Sequence, residues 1–283
     1  CGTLFPYTTL FRSIRVEKLL VDSCHHGGIV FDQGCTGVKA LHNEVRKTDT
    51  CGQGCGTHEA ITFSDCTGFE AAYNYVHHGV KEGIDAKDGS SNGAIHHNVV
   101  AHMGQVGIYL NHATGVKVYR NTVRNTGSSG IQIAVGDLAM GSHKTNHNQL
   151  YQNLVWGNAY CGLELWAEGS GSMAHNAIYN NVFYDNGHYG IQLSDEGSQA
   201  HGNVVRNNII VGNKLGGITG DASSANTISH NLFHNTGETR GTHKVNADPR
   251  FNNPGKGDFS LQAGSGAIDA GFDMGLPKVG KPD

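Results

Sequence analysis

An asparagine with one or two apolar residues close behind it recurs along this chain as HNEV, YNYV, HNVV, RNTV, QNLV, NNVF, NNII and HNLF. The asparagines are Asn43, Asn74, Asn98, Asn121, Asn153, Asn181, Asn208 and Asn231, so the intervals run 31, 24, 23, 32, 28, 27 and 23 residues. Nine to ten residues after the regularly spaced ones stands a small residue, then Ile or Leu and an alternating run: GIDAK, GIYLN, GIQIA, GLELW, GIQLS and GITGD, with GIVFD and AITFS in the same slot upstream. A period in this range describes stacked supersecondary units that bury a core only together.

Inside each unit the apolar positions alternate, as in Ile131 and Ile133 or Leu163 and Leu165. That is the period of a strand, not of a helix. With 41 glycines, only 5 prolines and 37% hydrophobic residues, composition agrees with short strands and many turns. The expected fold is all-β, a solenoid of about eight to nine coils in which equivalent residues sit about 4.8 Å apart. In such a stack the asparagines form an internal ladder, their amides bonding up and down the axis.

This pattern resembles the right-handed parallel β-helix of the pectate-lyase-like superfamily, over nearly all of residues 14–239. The stretch NADPRFNNPGKGDFSLQAGSGAIDAG, residues 246–271, resembles the segment that closes many secreted bacterial proteins of this kind, so residues 240–283 are expected to form a C-terminal cap. A solenoid needs one, because its last coil otherwise presents bare core and unpaired edges. Residues 3–13, TLFPYTTLFRS, resemble the in-frame translation of a sequencing adapter, and residues 1–13 are set aside as non-native. The native chain is then expected to begin near Ile14, short of its targeting signal and of N-terminal coils.

A net charge of −4 and a pI near 6.5 argue against a nucleic-acid partner. No apolar run approaches the roughly 20 residues that span a bilayer. Among seven cysteines, Cys35 and Cys66 each open a CTG at the same place in consecutive coils, within reach of a disulfide or as stacked thiols. Cys51 and Cys55 could pair with each other or with Cys24. Such bonds favour an exported protein, extracellular or periplasmic.

Strand alternation sends one row of side chains outward after each Gly-Ile: Val30, Thr62, Asp85, Tyr109, Gln132, Glu164, Gln192 and Thr219. A second row, two residues along, includes Asp32, Ser64, Lys87, Asn111 and Trp166. One coil exceeds what the repeat requires. In KEGIDAKDGSSNG, residues 81–93, Lys81 and Glu82 precede Asp85, Lys87 and Asp88, and His58 and Glu59 occupy the equivalent places on the coil below. Carboxylates stacked so closely repel one another, and the arrangement persists when a cation or a shared proton relieves it. His77, His78 and His102 stand on nearby turns, and the insertions 46–58 and 135–147 are placed to wall a groove. The competing reading is a set of Glu–Lys pairs on a solvated turn.

The superfamily resemblance implies a polysaccharide partner lying along this strand, with Tyr109, Gln132, Glu164, Trp166 and His102 as substrate contacts, in a monomer. It also implies β-elimination at a uronic acid. Carried onto this chain, Lys87 becomes the base, with Asp85 and His77 as further catalytic candidates, and calcium is the implied cofactor, held by Glu59, Glu82, Asp85 and Asp88. A metal beside the substrate carboxylate acidifies the neighbouring C–H for such a base. Two alternatives stay open: a glycoside hydrolase using the same paired carboxylates, and a non-catalytic glycan-binding protein using Tyr109 and Trp166 as stacking platforms.

Overall fold

A computed structural model describes residues 13–51, 56, 58–136, 144–167, 171–194, 199–220 and 225–273. The adapter-like segment lies outside them but for Ser13, as do the centres of both insertions. The described residues form a parallel β-solenoid with three long sheets of nine, ten and eight strands. Each coil contributes one short strand to each sheet and meets its neighbours in parallel register, as in Ile84–Lys87 between Ile61–Ser64 and Ile108–Asn111. Among the described residues helix is confined to a single 3-10 turn, Pro254–Lys256.

The core is a set of apolar columns. Ile29, Ile61, Ile84, Ile108, Ile131 and Leu163 succeed one another behind the third sheet, all buried. Val45, Val76, Val100, Val123 and Val155 do the same behind the second. The predicted ladder is present: Asn98 donates from N and Nδ2 to Asn121 Oδ1, both at 3.0 Å, and Asn121 passes the same pair of bonds to Asn153 Oδ1. Each ladder asparagine follows a left-handed residue, such as His42, Tyr73, His97 and His230 with φ between 54° and 58°, which turns the chain from the first sheet to the second. These histidines decorate the corner.

The cysteines depart in part from expectation. Cys35 and Cys66 are free and buried rather than bonded. Their thiols donate instead to backbone carbonyls, Cys35 to Asp32 O at 3.0 Å and Cys66 to Ser64 O at 3.3 Å. Cys24 is disulfide-bonded.

Beyond the last long coil, Val245–Asn246 adds to the edge of Leu232–His234. An antiparallel pair, Phe251–Asn253 with Asp258–Leu261, then folds back along the second sheet, where Phe259 packs on Trp156 and Tyr184 at ring separations of 6.0 and 5.4 Å.

Candidate functional site

The outward row of the third sheet has the register its alternation predicts: Thr62 opposite Asp85, Asp85 opposite Tyr109, then Gln132, Glu164 and Gln192 in turn. It is not an open polar face throughout. Thr62 and Asp85 are buried: Glu59 folds onto Thr62, and Lys87 Nζ lies against Asp85.

Glu59 is the hub. It sits level with Glu82, since Ala60 N donates to Glu82 O across the coils. Its carboxylate accepts two bonds from Lys87 Nζ, at 3.0 and 2.9 Å, and one from Thr62 Oγ1 at 3.1 Å. Lys87 Nζ also lies 3.5 Å from Asp85 Oδ2, while Asp85 Oδ1 is buried without a hydrogen bond. The positive charge between these two carboxyls is the chain's own ammonium.

Burial and charge set the protonation of this group. Burial first, and the Glu59 charge second, lift the Glu82 carboxyl to about 7. The same two causes hold Asp85 well above the usual carboxylate range, against the pull of Lys87. Burial alone would lower Lys87, yet Asp85 and Glu59 outweigh it and hold the ammonium above its ordinary range. His58 is pushed down, by burial and then by Lys87. The resting site thus couples a fixed ammonium to carboxyls that still hold, or readily exchange, a proton.

The remaining expected residues divide. Asp88 accepts from Ser64 Oγ at 2.8 Å and stays at the edge of the cluster. Glu164, three strands along the row, is buried and accepts from Ser129 Oγ at 2.7 Å and Gln132 Nε2 at 2.9 Å. Trp166, on the same strand, is 39% exposed. His77 and His102 are not brought to the cluster: His77 ends a strand of the second sheet and faces Glu44 and His78, and His102 stacks on His78 beside Arg124. Sequence reasoning missed Asp49, which is fully buried with neither oxygen hydrogen-bonded and is lifted by burial, with Lys81 and Glu59 among the charges that act on it. It lies in the 46–58 insertion, where no periodic pattern marks it.

Lys87 occupies the space between Glu59 and Asp85, and among the described residues no group of three or more His, Cys, Asp or Glu side chains is arranged to hold a metal ion. Two clefts, one lined by Tyr184, His234 and Arg250 and one by Asn207 and His230, lie under the C-terminal segment on other faces.

The family model described as periplasmic copper-binding protein (NosD) matches residues 15–189 and 140–265. A search of curated protein sequences gives no match. Among solved structures, the A-module of the mannuronan C-5 epimerase AlgE4 of Azotobacter vinelandii is similar at 15% identity and a TM-score of 0.58, over 78% of this chain and 63% of that one. A double mutant of the periplasmic alginate epimerase AlgG is similar at 16% identity and a TM-score of 0.51, over 71% of this chain and 44% of that one. The chain therefore spans less than two thirds of either structure, and at these identities the likeness establishes the fold, a right-handed parallel β-helix. Among the described residues no helix is long and apolar enough to cross a membrane.

Proposed function

The chain belongs to the family described as periplasmic copper-binding protein (NosD), and from that premise we propose that it is a periplasmic, polysaccharide-acting enzyme that moves a proton at a uronic acid, in the sense of β-elimination. One observation carries the reading: an ammonium is fixed by two carboxyls, and half-buried Glu82, level with Glu59 on the next coil, has its carboxyl pushed up to about 7. A carboxyl poised near neutrality suits proton transfer at physiological pH.

In this scheme Lys87 faces the substrate carboxylate and draws charge from it, which acidifies the C5–H bond. Glu82, ionised above pH 7, accepts that proton. The C4–C5 double bond forms as the C4–O bond breaks, and Tyr109, which neighbours Asp85 on the adjacent strand, offers the hydroxyl that protonates the leaving oxygen. Asp85 stays neutral, so that Lys87 offsets Glu59 and the ionised Glu82 is the one unbalanced negative charge of the cluster. The role of base thus passes from Lys87, which its partners keep protonated, to Glu82. The copper of the family's description enters no step, since the described residues offer no group of three ligands for it.

The test is ultraviolet absorbance of unsaturated uronate products across a panel of uronate-containing polysaccharides, paired with proton NMR at C5 in D2O. Elimination gives absorbance, and Glu82→Gln lowers kcat by 10²-fold or more, the usual worth of a positioned base. Exchange at C5 without absorbance would replace elimination by epimerisation. Neither signal from folded protein would sink proton abstraction and turn attention to reducing-end release by hydrolysis, or to binding alone.

A further inference from the structure

The outward row of the third sheet carries a second fixed carboxylate, Glu164, which is 6% exposed. Its Oε2 accepts from Ser129 Oγ at 2.7 Å and from Gln132 Nε2 at 2.9 Å, while among the described residues its Oε1 accepts no bond. Two donors on one oxygen hold the group in place and leave the other oxygen as an acceptor. A charge so far out of water is costly unless further donors complete it. Trp166 lies two residues along the same strand, so its side chain leaves the same face, and it is 39% exposed. A pyranose offers partners for both, hydroxyls at its rim for the carboxylate and a C–H face for the indole. Lys144, exposed on the turn that pairs with Ser172 past the end of this strand, adds a cation, so a carboxylate on that sugar also finds a partner.

Register sets the distance from this pair to the proposed centre. Consecutive coils are about 4.8 Å apart, and a pyranose chain lying along the solenoid axis advances by about one sugar per coil. From Asp85 the row passes through Tyr109 and Gln132 to Glu164, three coils or about 14 Å away. A sugar that reacts at the Glu82 cluster therefore has its third neighbour over Glu164 and Trp166. Building on the proton-transfer reading, which places the reacting sugar, we propose that Glu164 and Trp166 form a distal subsite for the third sugar beyond the reacting uronate, so that full turnover needs a chain of at least four sugars.

Binding by calorimetry and turnover by C5 chemistry are measured side by side for oligomannuronates, oligogalacturonates and oligomers in which glucuronate alternates with N-acetylglucosamine, from disaccharide to hexasaccharide. The expected result is a step: in the series that binds best, affinity and kcat/KM rise about tenfold or more from trisaccharide to tetrasaccharide, as a hydrogen bond to a charged group and an aromatic contact together provide. Glu164→Gln and Trp166→Ala each cut that tetrasaccharide-to-trisaccharide ratio to about threefold or less, and Trp166→Phe keeps most of it. Circular dichroism confirms that the variants are folded, and if Glu164→Gln is not, the exposed Trp166 decides alone. A steady gain with no step, or a step that the variants leave intact, overturns the inference, and leaves the proton-transfer reading standing if C5 chemistry persists. A step in binding that the variants remove, without C5 chemistry, keeps the subsite and sinks that reading. Binding of none of the oligomers overturns the inference outright.

Discussion

At the scale of single residues, Glu82 ties the chemistry to stability. Its folded carboxyl titrates at about 7 against an ordinary 4.5, because burial and the Glu59 charge disfavour the ionised form. A carboxyl raised in this way contributes stability that is fully present below 4.5 and is lost as pH rises through 7. At 1.36 kcal/mol per pH unit, the gap amounts to about 3 kcal/mol. Glu82→Gln keeps the neutral form at every pH. The variant should therefore match the native chain in unfolding free energy near pH 4 and exceed it by about 3 kcal/mol at pH 8, as read by denaturant titration. A stability difference that does not change between these pH values would show that Glu82 is solvated, and would remove its claim to act as the base. In the sequence Lys87 looks like a free amine, and the fold closes Glu59 and Asp85 on it.

The element that repeats is the corner, and it is more regular than the eight leading asparagines suggest. A second ladder, Asn148, Asn176, Asn203 and Asn226, and a third, Asn158, Asn186 and Asn213, flank the first. The signal for them was a five-residue spacing, as in Asn148, Asn153 and Asn158 or Asn176, Asn181 and Asn186. It is legible only in the C-terminal half, because the matching positions of earlier coils hold Val38, Phe69, Val116 and Thr126. Left-handed corner residues cost roughly 1–2 kcal/mol each, and the amide bonds offset that strain. Asn181 donates from N to Asn208 and from Nδ2 to Leu150 O, Tyr179 O and Asn208 Oδ1, and accepts twice from Asn153. Asn181→Ala strands Asn153 N in the core and leaves Asn153 Nδ2 with Val118 O alone, and should cost about 2–4 kcal/mol in chemical denaturation. Asn226→Ala, at a half-buried ladder end, should cost less than half as much. Equal losses would mean that the ladders add no more inside the stack than at its end.

Across the whole molecule, the fold was legible because coil stacking imposes one period on every core position, whereas the site was legible only as a direction. Alternation told which side chains leave the third sheet, but not that Thr62 and Asp85 would be covered, since that depends on how Glu59 and Lys87 fold over the strand rather than on any periodicity. For the same reason His77 and His102, close in sequence to the site, fall on a corner served by another sheet. Because each coil touches only its neighbours, a solenoid holds its stability locally. The C-terminal hairpin tests this. Phe259 is buried against Trp156 and Tyr184, side chains that project outward from the second sheet, and its removal leaves a cavity worth about 3–5 kcal/mol. If stability is local, Phe259→Ala should speed hydrogen exchange in Val182–Tyr184 and Ile209–Val211 by 10²-fold or more, since each 1.4 kcal/mol is tenfold. The Ile84–Lys87 strand, several coils away, should change by less than about threefold, and activity at the Glu82 cluster should survive. Uniform acceleration in every coil would instead make the solenoid a single cooperative unit, in which the tail supports the site from a distance.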